Sequence, residues 1–470
     1  MKKIILIISL LIGVISSGYS THLMGGEIVV QHDGGDDYQV LLTLYRDAVG
    51  VPIQTIQSFI LEDQNGIQTS FSIPLSSGTH PVFGLQQGDM LPMSTYPAEI
   101  YFFDSTLTLP TNGTYTITWT NCCRNAAILN LPNALSNDMT LSTSFKVDNS
   151  QYSSTPYFMV MPVINVPVNT PWQYNPLPFD PDLDSLSWYL GSPNSGSSAI
   201  PGYTLPASDP NGVISIDAVT GTISWTASLI GNWVYTVICE EWRNGIKIGE
   251  IRRDMQFIVL GSGSVPGYSN LGTIPTQNGY PTWSIDAGQS SELRFLASDN
   301  TASNTLSFAA YGESFVLPSN PSTYSTATIS SSNDIETVIN WSPTVNEART
   351  NPYITVLRLS NGIFTYDETI FIEVRNATSI KPITNNSNLA AVYPNPTSGV
   401  LNIPLNLTKS GEVTIRIFNS FGQILKQETT YFSSGNKLAL MQLDLPIGQY
   451  TMTVHQNNVP IGAKVVSVTK

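Results

Sequence analysis

The chain has 470 residues, with 34 acidic and 20 basic side chains for a formal net charge of −14, yet only 11% of it is charged. That excludes a disordered acidic tail, and 41% hydrophobic with 10% aromatic residues supplies packed cores for roughly three or four domains at about 150 residues each. The 34 glycines and 31 prolines are spread without a period, so short elements joined by many turns are expected rather than a helical bundle. With no Lys/Arg run beyond Lys2-Lys3, the chain has no electrostatic footprint for nucleic acid.

Lys2 and Lys3 precede an apolar run from Ile4 to Ile15, and Gly18-Tyr19-Ser20 comes next with small residues at the spacing a signal peptidase reads. A signal peptide over residues 1–20, cut after Ser20, is expected. The run has 12 residues, against about 20 needed to cross a bilayer. Nothing later is long and apolar enough to span, so the mature protein is expected outside the inner membrane, without a transmembrane segment.

Period two dominates the chain beyond Ser20. Tyr38, Val40, Leu42 and Leu44 alternate after the Gly34-Gly35 turn, and Tyr115, Ile117 and Trp119 alternate with four threonines between Thr114 and Thr120. Each pattern predicts a half-buried antiparallel strand. Helical spacing shows only weakly from Ala126 to Leu135, where Pro132 interrupts it. Cys122 and Cys123 are adjacent and Cys239 is distant, which leaves a vicinal bridge, one long-range bridge or three free thiols. His22, His32, His80 and His455 are scattered, so no zinc site is predicted.

A degenerate repeat organises the middle. Leu186-Ser187-Trp188 aligns with Leu306-Ser307-Phe308, Ile223-Ser224-Trp225 with Ile339-Asn340-Trp341, and Asn244-Gly245 with Asn361-Gly362, at offsets of 120, 116 and 117. Each copy closes with strand, Asn-Gly, strand: Tyr235 to Ile238 and Met255 to Leu260 in the first, Tyr353 to Leu357 and Thr369 to Val374 in the second. Asn-Gly favours a type I′ turn, whose two central residues need positive φ. At about 100 residues each, the copies have the size of immunoglobulin-like sandwiches. The polar segments Gly261–Ser264 and Thr384–Asn388 read as linkers, and Tyr450, Met452 and Val454 alternate with threonines in a closing β domain. The fold class is all-β, as tandem β-sandwiches. Its parts are an N-terminal β domain (21–150), two repeats (151–262 and 263–378), a linker (379–390) and a C-terminal domain (391–470).

That last domain resembles the type A C-terminal sorting domain of the type IX (Por) secretion system of Bacteroidetes. The motif residues are Tyr393, Pro394, Asn395, Pro396 and Gly399 in Val392–Gly399, Gly422 after Val413 to Phe418, and Gly448 and Tyr450 in Leu443–Tyr450, with Lys464-Val465-Val466 near the end. The resemblance implies recognition by an outer-membrane translocon, removal by a sortase-like peptidase, and cargo released or linked to lipopolysaccharide. Thr21–Ile28, Leu44-Tyr45-Arg46-Asp47, Asn121–Asn125, Glu241–Gly245 and Gly249–Asp254 resemble the opening module and the cadherin-like or immunoglobulin-like repeats of Bacteroidetes surface proteins, a group that implies little biochemistry. Such proteins often carry a cysteine after Tyr-Arg-Asp, where this chain has Ala48. A Cys122–Cys123 bridge is therefore expected.

Asp180-Pro181-Asp182-Leu183-Asp184 places three carboxylates at i, i+2 and i+4, on one side of an extended segment, where a hard cation would relieve their repulsion. The run resembles the calcium loop of bacterial cadherin-like domains, so Asp180, Asp182 and Asp184 are the candidate calcium ligands, short of a further acidic group. The aligned residues of the second copy, Asn300, Ala302 and Asn304, carry no charge, and no cation is expected there. Trp172 and Tyr174, set among Pro171, Pro176 and Pro178, are the candidate carbohydrate contacts if they lie on a loop. No nucleophile, base and orienter set is found, even if His32 and His80 meet near Asp33 or Asp89, so no catalytic residue is assigned. The expected function is a non-enzymatic adhesive or structural surface protein with an unknown polysaccharide or protein ligand. The alternative is a secreted carbohydrate-binding or carbohydrate-degrading protein with its active face in residues 21–150.

Overall fold

Gly34 and Gly35 take φ of +104° and +57°, which lets the opening strand Leu23–Gly34 turn back directly into Asp37–Asp47. The computed structural model describes residues 23–122, 124–208, 212–261, 263–300, 305–329, 334–376, 389–419, 422–457 and 459–469. The expected signal peptide and most of the expected 379–390 linker lie outside them. Among the described residues the regular structure is β, with three short 3-10 turns and no α-helix. One of those turns, Ala134–Ser136, is the helical structure that forms where the weak helical spacing lay. The chain divides into two compact units, Met1–Asn376 and Ala377–Lys470.

In the first unit a sheet runs Gln68–Pro74, Ile56–Glu62, Gly113–Asn121, Met139–Val147, Ile246–Leu260, Leu23–Gly34, Asp37–Asp47, Ala98–Thr108. Its core takes Ile73 from one end of that order and Phe103 from the other, around Ile117, Trp119 and Leu141, so the sheet curls on itself. The Ala98–Thr108 edge is sealed rather than left open. Gln87 Nε2 donates to Phe102 O (2.7 Å), Phe102 N donates to Gln87 Oε1 (3.0 Å), and Asp104 N donates to Ser76 Oγ (2.6 Å).

The expected half-buried strands divide in two. Tyr115, Ile117 and Trp119 are buried and the intervening threonines are not. From Val40 to Asp47, by contrast, both faces are buried, because the first repeat covers the second face. Tyr45 and Ile100 sit in one core with Val237, Met255 and Phe257 of that repeat. The long hairpin Gly231–Arg243/Ile246–Leu260 pairs with Met139–Val147 through Glu250 and Ile251 and with Leu23–Gly34 through Met255 and Asp254. The N-terminal part and the first repeat therefore share one sheet and one core across the boundary expected near residue 150.

The two repeats are wired alike. In the first, Trp172–Tyr174 pairs with Ile223–Trp225, Ser185–Gly191 with Gly231–Arg243, and Asn165–Pro167 runs parallel to the closing strand Ile246–Leu260. In the second, Ser291–Ser298 pairs with Ile335–Trp341, Ser307–Gly312 with Tyr353–Ser360, and Tyr280–Asp286 runs parallel to Thr365–Arg375. The second repeat is a two-sheet sandwich in which Phe295, Ile339 and Trp341 of one sheet meet Trp283, Ile285 and Ile372 of the other. The Asn-Gly turns differ. Asn244 and Gly245 have φ of +53° and +77°, as a two-residue hairpin needs. Of the second pair only Gly362 is positive, and a longer loop forms in which Asn361 Oδ1 accepts from Ile363 N and Phe364 N. The C-terminal unit is a smaller sandwich of two and four strands around Leu401, Ile417, Met441 and Met452.

Candidate metal centre

Strand Pro178–Phe179 ends at Asp180, whose side chain shapes the next turn. Asp180 Oδ1 accepts from Asp182 N (2.7 Å) and Asp184 N (3.2 Å), and Leu183 adopts φ +63°. The three aspartates converge because this turn folds around Asp180, not along the extended segment expected. Their carboxylate oxygens lie within 4.8 Å of one another.

The missing acid is Glu241. In the pairing of Ser185–Gly191 with Gly231–Arg243, Leu186 faces Glu241 and Ser185 faces Trp242, which brings this carboxylate beside the aspartate turn. Glu241 is 1% exposed and Asp180 4%. Asp180 Oδ2 is buried with no hydrogen-bond partner. Burial raises the Asp180 carboxyl to about 6. Burial, then the charges of Asp180 and Asp184, push the Glu241 carboxyl well up as well. Arg243 answers this group, donating from Nε to both Asp184 oxygens (2.9 and 3.1 Å).

The segment joining the N-terminal part to the first repeat is fastened to the same cluster. Ser154 N donates to Asp182 Oδ2 (2.6 Å), Ser153 Oγ to Glu241 Oε1 (2.7 Å), and Arg243 Nη1 to the carbonyls of Gln151 and Tyr152. The three aspartates, with a buried orphan oxygen among them and Glu241 beside them, are a hard-oxygen donor set of the kind calcium takes. At the start of the corresponding segment of the second repeat, Asp299 Oδ2 accepts from Asn361 Nδ2 (2.7 Å).

Glu241 was missed although period two marks it. Tyr235, Val237 and Cys239 are buried on one face of their strand, and Glu241 is next in that inward series, where an acid needs a partner.

The other candidates fare differently. Trp172 and Tyr174 are 1% and 0% exposed, which removes them as carbohydrate contacts. Trp172 Nε1 donates to Thr365 O (2.7 Å), Tyr174 OH accepts from Arg253 Nη1 (3.2 Å), and both rings meet Phe257 edge-on. They pack the first repeat against the second. Cys122 is disulfide-bonded and Cys239 is a buried free thiol, while Cys123 lies outside the described residues. His80 is bonded to Thr43 Oγ1 (2.9 Å) and His32 stacks on Tyr152 (4.0 Å).

In the C-terminal unit the motif residues are ties and turns. Tyr393 and Asn402 exchange backbone hydrogen bonds (3.0 and 2.8 Å). Asn395 Nδ2 donates to Val465 O (2.8 Å) while its Oδ1 accepts from Ser467 N (2.8 Å). Gly422 turns at φ +76°, and Tyr450 OH reaches Pro446 O (2.7 Å). Residues 391–468 match the family described as "Secretion system C-terminal sorting domain". This unit is a type IX secretion sorting domain.

The sorting domain marks the chain for export to the surface or the medium. Nothing among the curated proteins matches the chain. Solved structures that are similar include an endo-fucoidan hydrolase of glycoside hydrolase family 107 (15% identity over 67% of this chain and 44% of that one, TM-score 0.18). Others are the chicken CNTN1 FN1–FN3 domains (10% identity, 67% and 99%, TM-score 0.16) and the ICAM-5 D1–D4 fragment (8%, 93% and 96%, TM-score 0.18). The chain spans less than half the length of the hydrolase, and TM-scores this low carry no argument for any of the three.

Proposed function

We propose that this is a non-enzymatic, modular surface protein. An N-terminal signal peptide takes it to the periplasm, the type IX translocon exports it through its sorting domain, and its β-sandwich body serves as stalk and binding surface. The sorting domain carries this reading, supported by His32 and His80, which are engaged in ring stacking and a buried hydrogen bond rather than in a nucleophile–base pair. A sortase-like peptidase removes the tail before the cargo is released or linked to lipopolysaccharide. Mass spectrometry of the native surface protein is expected to place its C-terminus near residues 380 to 395. Full-length chain as the main surface species would refute removal.

The body binds calcium through Asp180, Asp182, Asp184 and Glu241, as the unpartnered Asp180 oxygen supports. A ligand that binds only the folded form adds about 2.7 kcal/mol at hundredfold excess over Kd. Because the first repeat shares its core with its neighbours, the full chain is the material to test. Its tryptophans all lie before Asn376 and report the body alone. Their melting midpoint is expected to rise in calcium over chelator, and the rise to vanish in Asp182→Asn; equal midpoints with and without calcium in the native chain would refute the site.

A further inference from the structure

Beside the acidic cluster the two repeats leave a cleft of about 560 Å³, walled by Phe179, Leu186 and Trp188 from the first and by Glu313, Arg349 and Asn351 from the second. That volume is in the range of small-ligand sites, which pair apolar walls with a few fixed polar groups. The walls are held in place. Trp188 Nε1 donates to Asp217 O (2.7 Å), Phe179 meets Tyr157 edge-on at 5.5 Å, and Arg349 is bonded to Glu313 (2.9 Å) and lies 3.6 Å over the Tyr353 ring. Little order has to be gained on binding.

Asp180 and Asp184 line the cleft as well as belonging to the cluster. Calcium takes about 6 to 8 oxygens. Asp184 is shared with Arg243, Asp182 with Ser154 N and Glu241 with Ser153, so the protein's own oxygens fall short of that shell. A ligand that offers neutral hard oxygens on one edge and C–H groups on a face suits both features: the oxygens join the cation, the face lies on aromatic rings. A sugar with vicinal hydroxyls has that form. Asp184 and Glu313 at the walls, and a net charge of −14, disfavour sulfated or carboxylated chains.

We infer that this inter-repeat cleft is a calcium-dependent site for neutral glycans, in which vicinal hydroxyls complete the shell of a cation held by Asp180, Asp182, Asp184 and Glu241 while the sugar face packs on Phe179 and Trp188. The inference rests on the cation reading above. It moves the carbohydrate surface from residues 21–150 and from Trp172 and Tyr174 to the junction of the repeats.

The test is affinity electrophoresis of the full chain in gels carrying mannan, galactomannan or, as anionic control, a sulfated fucan, with calcium or with chelator. Calcium binding is measured separately by calorimetry. Retardation by a neutral polysaccharide is expected to weaken at least about tenfold in chelator, an affinity change readily resolved. Asn351→Trp, at an exposed wall position, is expected to fill the cleft and abolish retardation with calcium binding and fold unchanged. Calcium binding without retardation by either neutral polysaccharide overturns the glycan site and leaves the cation reading standing. Absence of calcium binding overturns that reading itself. Retardation that ignores chelator, that persists in Asn351→Trp, or that is stronger on the sulfated fucan also overturns the inference.

Discussion

Arg253→Ala is expected to destabilise the body by about 3–5 kcal/mol, the cost of stripping one partner from a buried ion pair. Arg253 is fully buried in the middle of Ile246–Leu260. Its Nε and Nη2 donate to Glu27 Oε2 (3.0 Å) and Oε1 (2.6 Å) on the opening strand, and Nη1 donates to Val160 O (2.7 Å). The guanidinium also lies 4.2 Å over the Phe158 ring. Removing it strips the Glu27 carboxylate of its guanidinium in the core, with Tyr45 OH (3.2 Å) the remaining donor among the described residues. Tryptophan fluorescence during urea unfolding measures the loss. The double variant Glu27→Gln/Arg253→Met is expected to be more stable than Arg253→Met alone, since the orphaned charge is then gone. A loss below about 1 kcal/mol for Arg253→Ala would mean that the pair contributes no more than a surface ion pair.

The same strand shows where the sequence could and could not be read. Alternation located Gly113–Asn121 and the Asp37–Asp47 strand, and the repeat offsets located two segments with one pairing scheme. Only Met255 to Leu260 was expected as a strand, whereas the strand runs from Ile246 and takes in Arg252-Arg253-Asp254. Those charges are in fact the joints of the body. Arg253 meets Glu27, and Asp254 meets Arg124 (2.6 Å) in the expected opening module. A charged residue in mid-strand reads as surface unless its partner is known, and here the partners lie 130 and 226 positions away. The candidate metal centre was half legible for a related reason. A local turn collects the three aspartates, whereas Glu241 arrives by strand register, which local spacing does not encode. Trp172 and Tyr174 were misplaced because a three-residue strand among prolines shows no period, and the second repeat that covers them is distant in sequence.

Acid is expected to weaken the body between about pH 6.5 and 4 through His80, a range set by the ordinary and folded values of this one imidazole. His80 is 2% exposed. Its Nδ1 accepts from Val82 N and Phe83 N (both 3.2 Å), so Nε2 carries the proton and donates to Thr43 Oγ1 (2.9 Å). A second proton on Nδ1 would face two N–H donors, and burial first, then the charge of Arg253, lower the imidazole from 6.5 to about 4. The unfolded chain binds a proton at the ordinary value and the folded chain does not. Stability is therefore full above pH 6.5, falls as pH drops toward 4, and loses about 3 kcal/mol from this group at roughly 1.36 kcal/mol per unit. Asn at position 80 keeps an acceptor for the two N–H groups and does not titrate. His80→Asn is expected to start less stable at neutral pH, for want of the Thr43 bond, and to lose about 3 kcal/mol less than the native chain between pH 7 and 4. Carboxylates titrate in both proteins and cancel in that difference, so parallel pH profiles would exclude His80 as the source.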